Sequence, residues 1–554
     1  MRTVPTLLVT ASAALLALAS HAGATDSALQ AKMGEPLHGL TTVQRDRFQI
    51  GRTLFSMPIP IEDGLGPIMN KSNCGSCHSN PIGGWGAISV TRFGIEKKGV
   101  FSLYPGESQS LAQSLANSSF CAEVVPADAT VVRTRLTNSS MAFGLVEAIP
   151  DVQIAAHADE LDVDGDGVSG RVHWVRPLEA APTSPLRAGR FGWKAQVATV
   201  LTFSSDASRN EMGFTNRLTP DENPPNGDFA RSAVCDAVSD PEDTNDADGF
   251  AFIDRVTHFQ RYLAPPPQTP RSGMTGETLF NQVGCVKCHS ASFTTSSDAL
   301  LENAIRSQSI RPYSDFLLHD VGLIADGISD GDATEAEMRT PTLWGVRTRD
   351  PMLHDGSAAG GSFTARVTLA IAKHGPYGEG AASSAAFALL SPSNQAHLVK
   401  FLNSLGRAEF DFDGDGIIDI LDFFALRVCI AQGTTNADNE CAIADVNQDG
   451  SVNATDVDLF VLAFNGDILD CNNNSVADLR DIALGTSQDA NDDGVPDECM
   501  ACPADVSGDG TVNGVDLSIV LANWAGTGAG DIDHDGIVNG ADLAVVLAGW
   551  GLCQ

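Results

Sequence analysis

Positive charge is scarce in this chain of 554 residues, in which 34 Lys and Arg face 70 Asp and Glu and leave a formal net charge of -36. So acidic a surface repels the phosphates of nucleic acid and of anionic lipid, and we expect neither as a partner. No long apolar run follows the first residues, so we also expect no membrane span. With 43% hydrophobic residues the composition is that of a folded protein, and the length predicts several domains.

Runs that alternate apolar and polar residues, as half-buried strands do, are also few. Short amphipathic segments are present instead, at 276–284, 363–375 and 393–406, and the last of them ends at Gly406. Gly at the end of a periodic segment is a helix stop signal. We therefore expect a mainly α-helical chain with long irregular loops.

The first residues carry one Arg, an apolar run from about Leu7 to Ala19, and then small residues at Ala22 and Ala24. This order is typical of a secretory signal peptide cleaved after Ala24. A membrane anchor is the alternative, but the run is short for a span of roughly 20 residues. We expect an exported protein that is periplasmic, on the cell surface or extracellular.

Twelve cysteines in an exported protein predict disulfides. Four of them lie in two copies of C-x-x-C-H, within "NKSNCGSCHSN" and "VGCVKCHS". The remaining eight are an even number, as expected if all of them pair, although sequence does not fix the pairing. Cys121 and Cys235 fall in the first half, and the other six lie in the last third.

The C-x-x-C-H motif places two thiols where each can form a thioether to a haem vinyl group, with a histidine positioned to ligate the iron. Zinc would need two more ligands nearby, and neither motif has a second C-x-x-C or an H-x-x-x-H in its block. A disulfide within each motif is the remaining alternative. We expect two covalent haem c groups, attached through Cys74, Cys77, Cys285 and Cys288 and ligated by His78 and His289.

Five segments carry a family resemblance: "GLGPIMNKSNCGSCH", "GRFGWKAQV", "NEMGF", "PYSDFLLHDVG" and "RTPTLWGVRTRDPMLHDG". In this order they resemble the di-haem oxidoreductase family, described as thiol oxidoreductases or peroxidases. That family is similar in layout to bacterial di-haem cytochrome c peroxidases and to the MauG proteins. The resemblance covers roughly residues 40–408 and implies two cytochrome c-like haem domains, with a small electron-donor or acceptor protein as partner.

The resemblance also implies a further ligand for the second iron, about one short helix after the segment 339–356. His374 stands there, although the peroxidases have Met, so we expect His289 and His374 to hold one iron. A cap at the C-terminal end of its helix is the alternative for His374. His319 and His354, each followed by Asp, are competing candidates, as imidazoles oriented by hydrogen bonding.

At the first haem the resemblance implies a distal site for peroxide. Glu147 is the candidate acid/base residue there, with a helix-surface carboxylate as the alternative. Met141 is the nearest methionine in a family-like stretch, but such a methionine is more often a core residue. Trp193 is a candidate electron relay between the haems, with a buried core tryptophan as the alternative.

An acidic loop, "DELDVDGDGVSGR", lies within the first haem block. Its alternating Asp162, Asp164 and Asp166 precede Gly167 as in a calcium loop, but His173 stands where the closing acid is expected. A solvated acidic turn is the alternative to a structural calcium ion here.

The last third repeats one pattern at 411–422, 445–456, 505–516 and 531–542. Oxygen side chains at loop positions 1, 3, 5 and 12 with Gly at position 6 form a cage that suits calcium. A disordered acidic tail would not reproduce four such loops, each with an apolar residue at position 8 and a helix behind it. The expected ligands are Asp411, Asp413, Asp415, Asp422, Asp445, Asn447, Asp449, Asp456, Asp505, Ser507, Asp509, Asp516, Asp531, Asp533, Asp535 and Asp542.

These loops resemble type I dockerin repeats, although position 12 is Asp where an EF-hand has Glu. The stretch between the pairs is looser, with Ser475 in the place of Gly. Dockerins dock onto cohesin modules, so the resemblance implies a cohesin-like or cell-surface partner, with a calcium-stiffened spacer as the alternative.

The expected architecture is mainly α: two cytochrome c-like haem domains, followed by small helical calcium-loop modules. The expected boundaries are 1–24 for the signal peptide, 25–265 and 266–408 for the two haem domains, 409–466 for the first repeat pair, 467–500 for the Asp/Asn-rich linker repeats and 501–554 for the second pair. The expected function is an exported di-haem oxidoreductase that acts on peroxide or a thiol. The alternative is a non-catalytic electron-transfer cytochrome tethered through its calcium-binding tail.

Overall fold

A computed structural model describes residues 29–552 except 239, 241–243, 473, 491, 500, 501 and 534. The predicted signal peptide, residues 1–24, lies outside the described residues. The described chain divides into two compact units, one spanning Gln30–Arg407 and the other holding Leu29 and the residues from Ala408 onward. We call them the haem unit and the tail unit. Among the described helices, none combines the length and the apolar character needed to cross a bilayer.

The haem unit contains ten of the α-helices that the structure describes. They are α1 (Thr42–Ser56), α2 (Phe143–Glu147), α3 (Asp151–Ala155), α4 (Val200–Met212), α5 (Phe229–Cys235), α6 (Phe252–Tyr262), α7 (Thr275–Gln282), α8 (Phe363–Ala372), α9 (Ala381–Ala388) and α10 (Pro392–Ser404). Long irregular stretches join them, as predicted. Both C-x-x-C-H motifs lie in this one unit, and the boundary predicted at residue 265 stays a prediction.

An antiparallel sheet is the feature of this unit that the sequence did not predict. Its central strand β2 (Ser89–Lys97) pairs with β3 (Val100–Ser102), β4 (Leu111–Ala112) and β6 (Val131–Leu136). Alternation in β2 is weak because only Phe93 and Gly94 are buried within it.

The other strands of the haem unit form two-stranded ladders of two or three residues. They pair β1 (Ile68–Met69) with β5 (Leu115–Ala116), β7 (Trp174–Val175) with β8 (Arg187–Ala188), β9 (Phe293–Thr294) with β10 (Ser309–Ile310), and β11 (Leu318–Asp320) with β12 (Glu337–Arg339). Runs this short give no periodicity signal in a sequence.

Two close helix crossings organise the haem unit, and each depends on a glycine. A Cβ added to Gly51 of α1 would lie 2.2 Å from the carbonyl oxygen of Arg255 in α6, and one added to Gly276 of α7 would lie 2.0 Å from that of His397 in α10. Contacts that short do not occur, so only glycine permits these approaches. Each crossing includes the helix that precedes a C-x-x-C-H motif.

The tail unit contains five described helices, each preceded by an acidic loop. They are α11 (Ile420–Gln432), α12 (Ala454–Ala463), α13 (Asp478–Leu484), α14 (Gly514–Ala522) and α15 (Gly540–Ala548), with a short ladder of β13 (Thr511–Val512) and β14 (Gly551–Leu552). The position-8 residues Ile418, Val452, Val512 and Val538 are all buried. The predicted apolar residue beside each loop is therefore confirmed as core.

The disulfides follow the two-unit division. Cys121 bonds Cys235 in the haem unit, and the tail unit has Cys429 bonded to Cys441 and Cys471 bonded to Cys499. The pairing of Cys121 with Cys235 agrees with their isolation in the first half of the sequence. The four motif cysteines carry free thiols.

Candidate haem and calcium sites

The two C-x-x-C-H motifs share one local geometry. Each begins a 3₁₀ turn, Cys74–Ser76 in the first motif and Cys285–Lys287 in the second. In each turn the histidine N–H donates to the carbonyl oxygen of the first cysteine, at 3.0 Å for His78 and 2.9 Å for His289. The turn therefore brings each histidine back beside its first thiol.

Both histidines are fixed in the tautomer that metal ligation needs. Nδ1 of His78 donates to the carbonyl oxygen of Gly84 at 3.3 Å, and Nδ1 of His289 donates to that of Tyr313 at 2.9 Å. A carbonyl can only accept, so Nδ1 carries the hydrogen and Nε2 keeps its lone pair. Burial lowers the pKa of both rings to about 4, which keeps them neutral.

The motif cysteines are protonated thiols rather than disulfides or thiolates. Burial, the neighbouring Cys77 and the charge of Glu211 raise the pKa of Cys74 to about 12. Burial raises that of Cys285 to about 12 as well. All the other cysteines whose pairing is described are disulfide-bonded, whereas the two motif pairs are not. Free thiols beside neutral imidazoles fit thioether attachment of a haem, whereas a zinc site would favour thiolates.

A pocket opens beside the second motif. Cys285, Cys288 and His289 lie on its wall, and helices α7, α8 and α10 contribute Phe280, Val367 and Leu398. Its lining is mainly apolar, with histidine and arginine side chains among the apolar ones. This chemistry suits a haem macrocycle and its carboxylates.

His374 lines the same pocket as His289, which is where its predicted role requires it to be. Its Nδ1 donates to the carbonyl oxygen of Ala370 at 2.8 Å, so Nε2 is left with its lone pair. Burial lowers its pKa, as it does for the proximal rings. The hydrogen bond to Ala370 also joins the ring to the last turn of its helix, so the alternative of a helix cap stays beside that of an iron ligand.

His319 and His354 also reach the pocket, but their surroundings differ from those of His374. Nδ1 of His319 contacts Oε2 of Glu379 at 2.5 Å, and Nε2 contacts Oδ2 of Asp315 at 2.9 Å. Burial opposes the charge, yet these carboxylates hold the pKa of His319 far above its usual value. With both nitrogens engaged, His319 has no lone pair for iron.

His354 is buried and packs edge-on against the indole of Trp193, with ring centroids 5.9 Å apart. Burial lowers its pKa to about 4. Its main-chain carbonyl oxygen accepts the N–H of Leu136 in β6, which fixes the backbone of this segment. It remains a neutral ring on the pocket wall.

Both carboxylate oxygens of Glu147 are held by other groups of the chain. Its Oε1 pairs with a guanidinium nitrogen of Arg261 at 2.8 Å, and its Oε2 accepts the backbone N–H of Val200 at the start of α4 at 2.5 Å. Glu147 is not among the residues that line the pocket. These contacts favour the surface-carboxylate interpretation over the catalytic one.

Trp193 lies on the pocket wall, and its indole N–H donates to the carbonyl oxygen of Leu136 at 2.8 Å. The guanidinium of Arg349 sits 5.3 Å from its ring centroid and 4.2 Å from that of Trp85. Trp85 belongs to the loop of the first motif and still lines the pocket of the second. Sequence reasoning missed both Trp85 and Arg349, because only the fold brings them together.

Two buried cations on the pocket wall fit the carboxylates of a haem. Arg339 donates only to main-chain carbonyls, those of Gly192 and Thr340, and Nε of Arg349 is buried without a hydrogen-bond partner among the described residues. Burial lowers the pKa of Arg339 to about 10 and that of Arg349 to about 9. Guanidinium groups in this state are suited to bind propionates.

Beside the first motif, the end of α4 carries two further residues that the sequence did not single out. Sγ of Cys74 lies 3.7 Å from Sδ of Met212. Glu211 accepts a hydrogen bond of 2.7 Å from the amide of Asn70, and burial raises its pKa. Both belong to the segment "NEMGF", which carried the family resemblance without an assigned role.

The four predicted calcium loops are formed as their pattern required. In each loop the Gly at position 6 donates its N–H to the position-1 carboxylate, as Gly450 does to Asp445 at 3.0 Å. In the first loop, carboxylate oxygens of Asp411, Asp413 and Asp422 lie within 4.8 Å of one another. Oδ1 of Asp531 is buried without a hydrogen-bond partner among the described residues, as expected of an oxygen that awaits a cation.

The closing acids at position 12 have a second role that the sequence analysis did not recognise. Asp422, Asp456, Asp516 and Asp542 are buried, and each accepts the N–H of the position-9 residue, which caps the following helix. The capping boxes join loop and helix, so a bound cation would also stabilise the helix start.

The looser linker loop adopts the same turn. Asp470 accepts the N–H groups of Asn474 and Ser475, and Ser475 takes the left-handed conformation that Gly has in the other loops, at φ +70°.

In the acidic loop of the haem unit, oxygens of Asp159, Asp162 and Asp164 lie within 4.8 Å of one another. Asp166 instead pairs with Lys287 at 3.1 Å.

The chain belongs to the family described as "Di-haem oxidoreductase, putative peroxidase", whose model matches residues 96–405. Residues 409–461 match the dockerin type I domain. Both matches confirm the resemblances seen in the sequence. They imply haem for the first unit and calcium for the second, and dockerin domains bind cohesins. No curated protein matches the chain.

Two solved structures are similar to this chain at low identity. One is hydrazine synthase of Kuenenia stuttgartiensis, studied under xenon pressure, with 12% identity, a TM-score of 0.28, and coverage of 73% of this chain and 99% of that chain. The other is a MauG-like protein associated with microbial copper homeostasis, with 15% identity, a TM-score of 0.27, and coverage of 68% and 93%.

Proposed function

We propose that the protein is an exported di-haem c-type oxidoreductase, with peroxide or a thiol as its substrate, tethered by a calcium-loaded tail. The observation that carries this proposal is the pairing, in both motifs, of free thiols with an imidazole whose Nε2 lone pair is preserved. Cys74 and Cys77 would attach one haem, and Cys285 and Cys288 the other. Bound haem supplies one-electron chemistry at iron.

The second site would serve mainly to store and pass electrons. His289 and His374 line one pocket and both keep the Nε2 lone pair, so both would hold the iron of the second haem. Arg339 and Arg349 would bind propionates there. Because the indoles of Trp85 and Trp193 flank Arg349, the wall between the motifs offers aromatic groups suited to relay electrons.

The first site would be the one that meets substrate. Glu211 replaces Glu147 as the proton-carrying residue in this proposal, because its charge is felt by Cys74 and Cys77 whereas Glu147 is paired with Arg261. Glu211 would hold a proton through burial and deliver it from its carboxyl group, oriented by the amide of Asn70.

The second candidate function is a non-catalytic electron-transfer cytochrome. The pocket with two histidines favours simple electron transfer at site two, but it says nothing of site one.

The tail would dock onto a cohesin-like module outside the cytoplasm, and a calcium-stiffened spacer is the alternative. Pull-down with purified full-length protein and a cohesin, with and without calcium, distinguishes these roles: calcium-dependent capture supports docking, and no capture supports the spacer.

Optical spectra of the holoprotein test the redox proposal. We expect a low-spin site two, and a site one whose ferric spectrum changes on addition of peroxide. The matched variants are His374→Ala, which should convert site two to high spin, and His38→Ala, which changes an exposed histidine and should leave the spectrum as it is. Two low-spin haems whose spectra do not change on addition of peroxide would favour the electron-transfer alternative.

A further inference from the structure

One side of the second pocket is bordered by three segments that the chain ties together. Arg171 and Leu318 exchange backbone hydrogen bonds, which places the acidic loop 159–168 beside β11. Ser169 donates its N–H to Glu379 at 3.0 Å, and Glu379 donates its own N–H to the carbonyl oxygen of Asp320. We call the residues 159–168, 320–324 and 377–379 the acidic rim.

The acidic rim reaches into the pocket and also faces solvent. Val168, Val321 and Ile324 line the pocket. Their neighbours point outward: Leu161, Val163, Leu323 and Tyr377 are 84%, 82%, 72% and 63% exposed. Four large apolar side chains this exposed, at the edge of one pocket, are typical of an interaction surface rather than of scattered surface residues.

The charge on the acidic rim has one sign. Five carboxylates fall within eight positions, at Asp159, Glu160, Asp162, Asp164 and Asp166, with no basic residue among them. Lys287 neutralises Asp166 alone, and the nearby Arg171 is already paired with Glu337 at 2.5 Å. Within the loop 159–166, Asp166 is the carboxylate that pairs with a basic side chain. Five carboxylates leave net negative charge beside the apolar residues even when Asp159, Asp162 and Asp164 hold a divalent cation.

Lys287 ties this surface to the second motif. It stands between Cys285 and Cys288, and its ammonium donates to the main-chain oxygen of Asp166 at 3.1 Å as well as pairing with its carboxylate. A protein seated on the acidic rim would thus lie close to the residues that attach the second haem. Short distance to the cofactor is what an electron-transfer contact needs.

We propose that the acidic rim is the docking surface for a small electron-carrier protein with a basic face. The inference rests on the proposed redox function and adds the place and the charge of the partner. Apolar residues at the centre would give contact area, and the surrounding carboxylates would attract and orient the basic carrier. Such contacts are weak, fast and sensitive to salt.

Isothermal titration of the full-length holoprotein with a basic monohaem cytochrome c tests the proposal, at a fixed free calcium concentration and at low and high salt. The variant Asp162→Asn with Asp164→Asn removes two rim charges and keeps the amide oxygens that hold the loop. Asp46→Asn with Glu62→Gln removes the same charge from exposed positions outside the acidic rim. A third variant, Leu323→Ser, shortens an apolar contact without changing charge.

We expect the rim pair to weaken binding about tenfold at low salt, since two exposed ion pairs contribute about 1.4 kcal/mol together. Leu323→Ser should weaken binding as well, and the control pair should not. Equal weakening by both charge pairs, or equal binding of an acidic flavodoxin, would overturn the proposal, as would no binding of the cytochrome. The visible spectrum of each variant monitors the haems independently of the binding measurement. Lost binding with an unchanged spectrum means that the docking proposal fails, whereas a spectrum without haem means that the proposed redox function fails.

Discussion

The haem unit and the tail unit use buried ionisable groups in opposite ways. In the haem unit, burial keeps rings and thiols neutral, as at His289 and Cys285, inside a large core rich in phenylalanine. In the second repeat pair of the tail, the buried apolar cluster among the described residues is small, consisting of Ala504, Val512, Val520, Val538 and Val546. The closing carboxylates Asp516 and Asp542 are buried as well. We therefore expect the haem unit to fold before haem is attached and the tail unit to need a bound cation in order to fold.

The largest expected effect that separates the two units is removal of calcium. Carboxylates such as Asp411, Asp413 and Asp422 lie within 4.8 Å of one another and would repel without a cation. We expect a chelator to abolish the helical signal of the tail and leave the haem absorbance intact. Circular dichroism and visible spectra on the same sample measure both. An unchanged helical signal would show that the tail has no calcium-dependent fold.

The next prediction concerns the glycine crossing in the haem unit. Gly276→Ala would place a Cβ 2.0 Å from the carbonyl oxygen of His397, so α7 and α10 must move apart. We expect a loss of about 3 kcal/mol, at the upper end for overpacking. Gly540→Ala in the tail is the matched control, because its Cβ would meet no atom within 4 Å. Chemical denaturation followed by haem absorbance and by circular dichroism tests both variants, and equal loss in the two would contradict the packing argument.

A single closing acid should matter less than the whole set of cations. Asp456 is buried and accepts the N–H groups of Val446 at 3.1 Å and Asn453 at 3.0 Å. Asp456→Ala removes one half of the capping box and a predicted calcium ligand together, and we expect the first repeat pair to lose about 2 kcal/mol. Asp467→Ala, at an exposed position, should leave stability as it is. Thermal unfolding in saturating calcium measures the stability of both variants relative to the wild type. Equal losses in the two variants would contradict the prediction.

The smallest predicted effect is one of pH in the haem unit. Glu107 has a buried oxygen without a hydrogen-bond partner among the described residues, and burial with the nearby Glu123 raises its pKa to about 7. Because the folded-state pKa lies above that of the unfolded chain, the stability from this group is present below about pH 4.5 and is lost as the pH rises through 7.

Glu107→Gln should therefore stabilise the haem unit at pH 8 and have little effect at pH 4.5. Urea midpoints at the two pH values measure this. In the tail we expect stability in calcium to fall as the pH falls, which is the opposite direction. Protons compete there with calcium for Asp422 and Asp456, whose pKa values burial raises. A difference in stability between Glu107→Gln and the wild type that is the same at both pH values would show that Glu107 is ionised at no cost.

The sequence predicted more of the tail unit than of the haem unit. The tail loops could be read almost completely, because all the ligands of one loop fall within twelve consecutive residues. The motif histidines were equally accessible, since their turn is local. His374 was placed in the right pocket only through the family resemblance.

Trp85, Arg349 and Glu211 could not be found in the sequence, because segments distant along the chain bring them to the sites. The ion pair of Glu147 was hidden for the same reason, since its partner Arg261 is distant in sequence, and the catalytic role of Glu147 stays a prediction. The sheet around β2 escaped notice because its periodicity is too weak to see.

The central claim is that two haems are covalently attached to this chain through separate pairs of thiols. Intact-mass spectrometry of the holoprotein, matured in a host able to attach haem c and then denatured, tests it most directly. The account predicts a mass above that of the polypeptide by two haems, one of which is lost in Cys74→Ala with Cys77→Ala and the other in Cys285→Ala with Cys288→Ala. A mass equal to the bare polypeptide would contradict it.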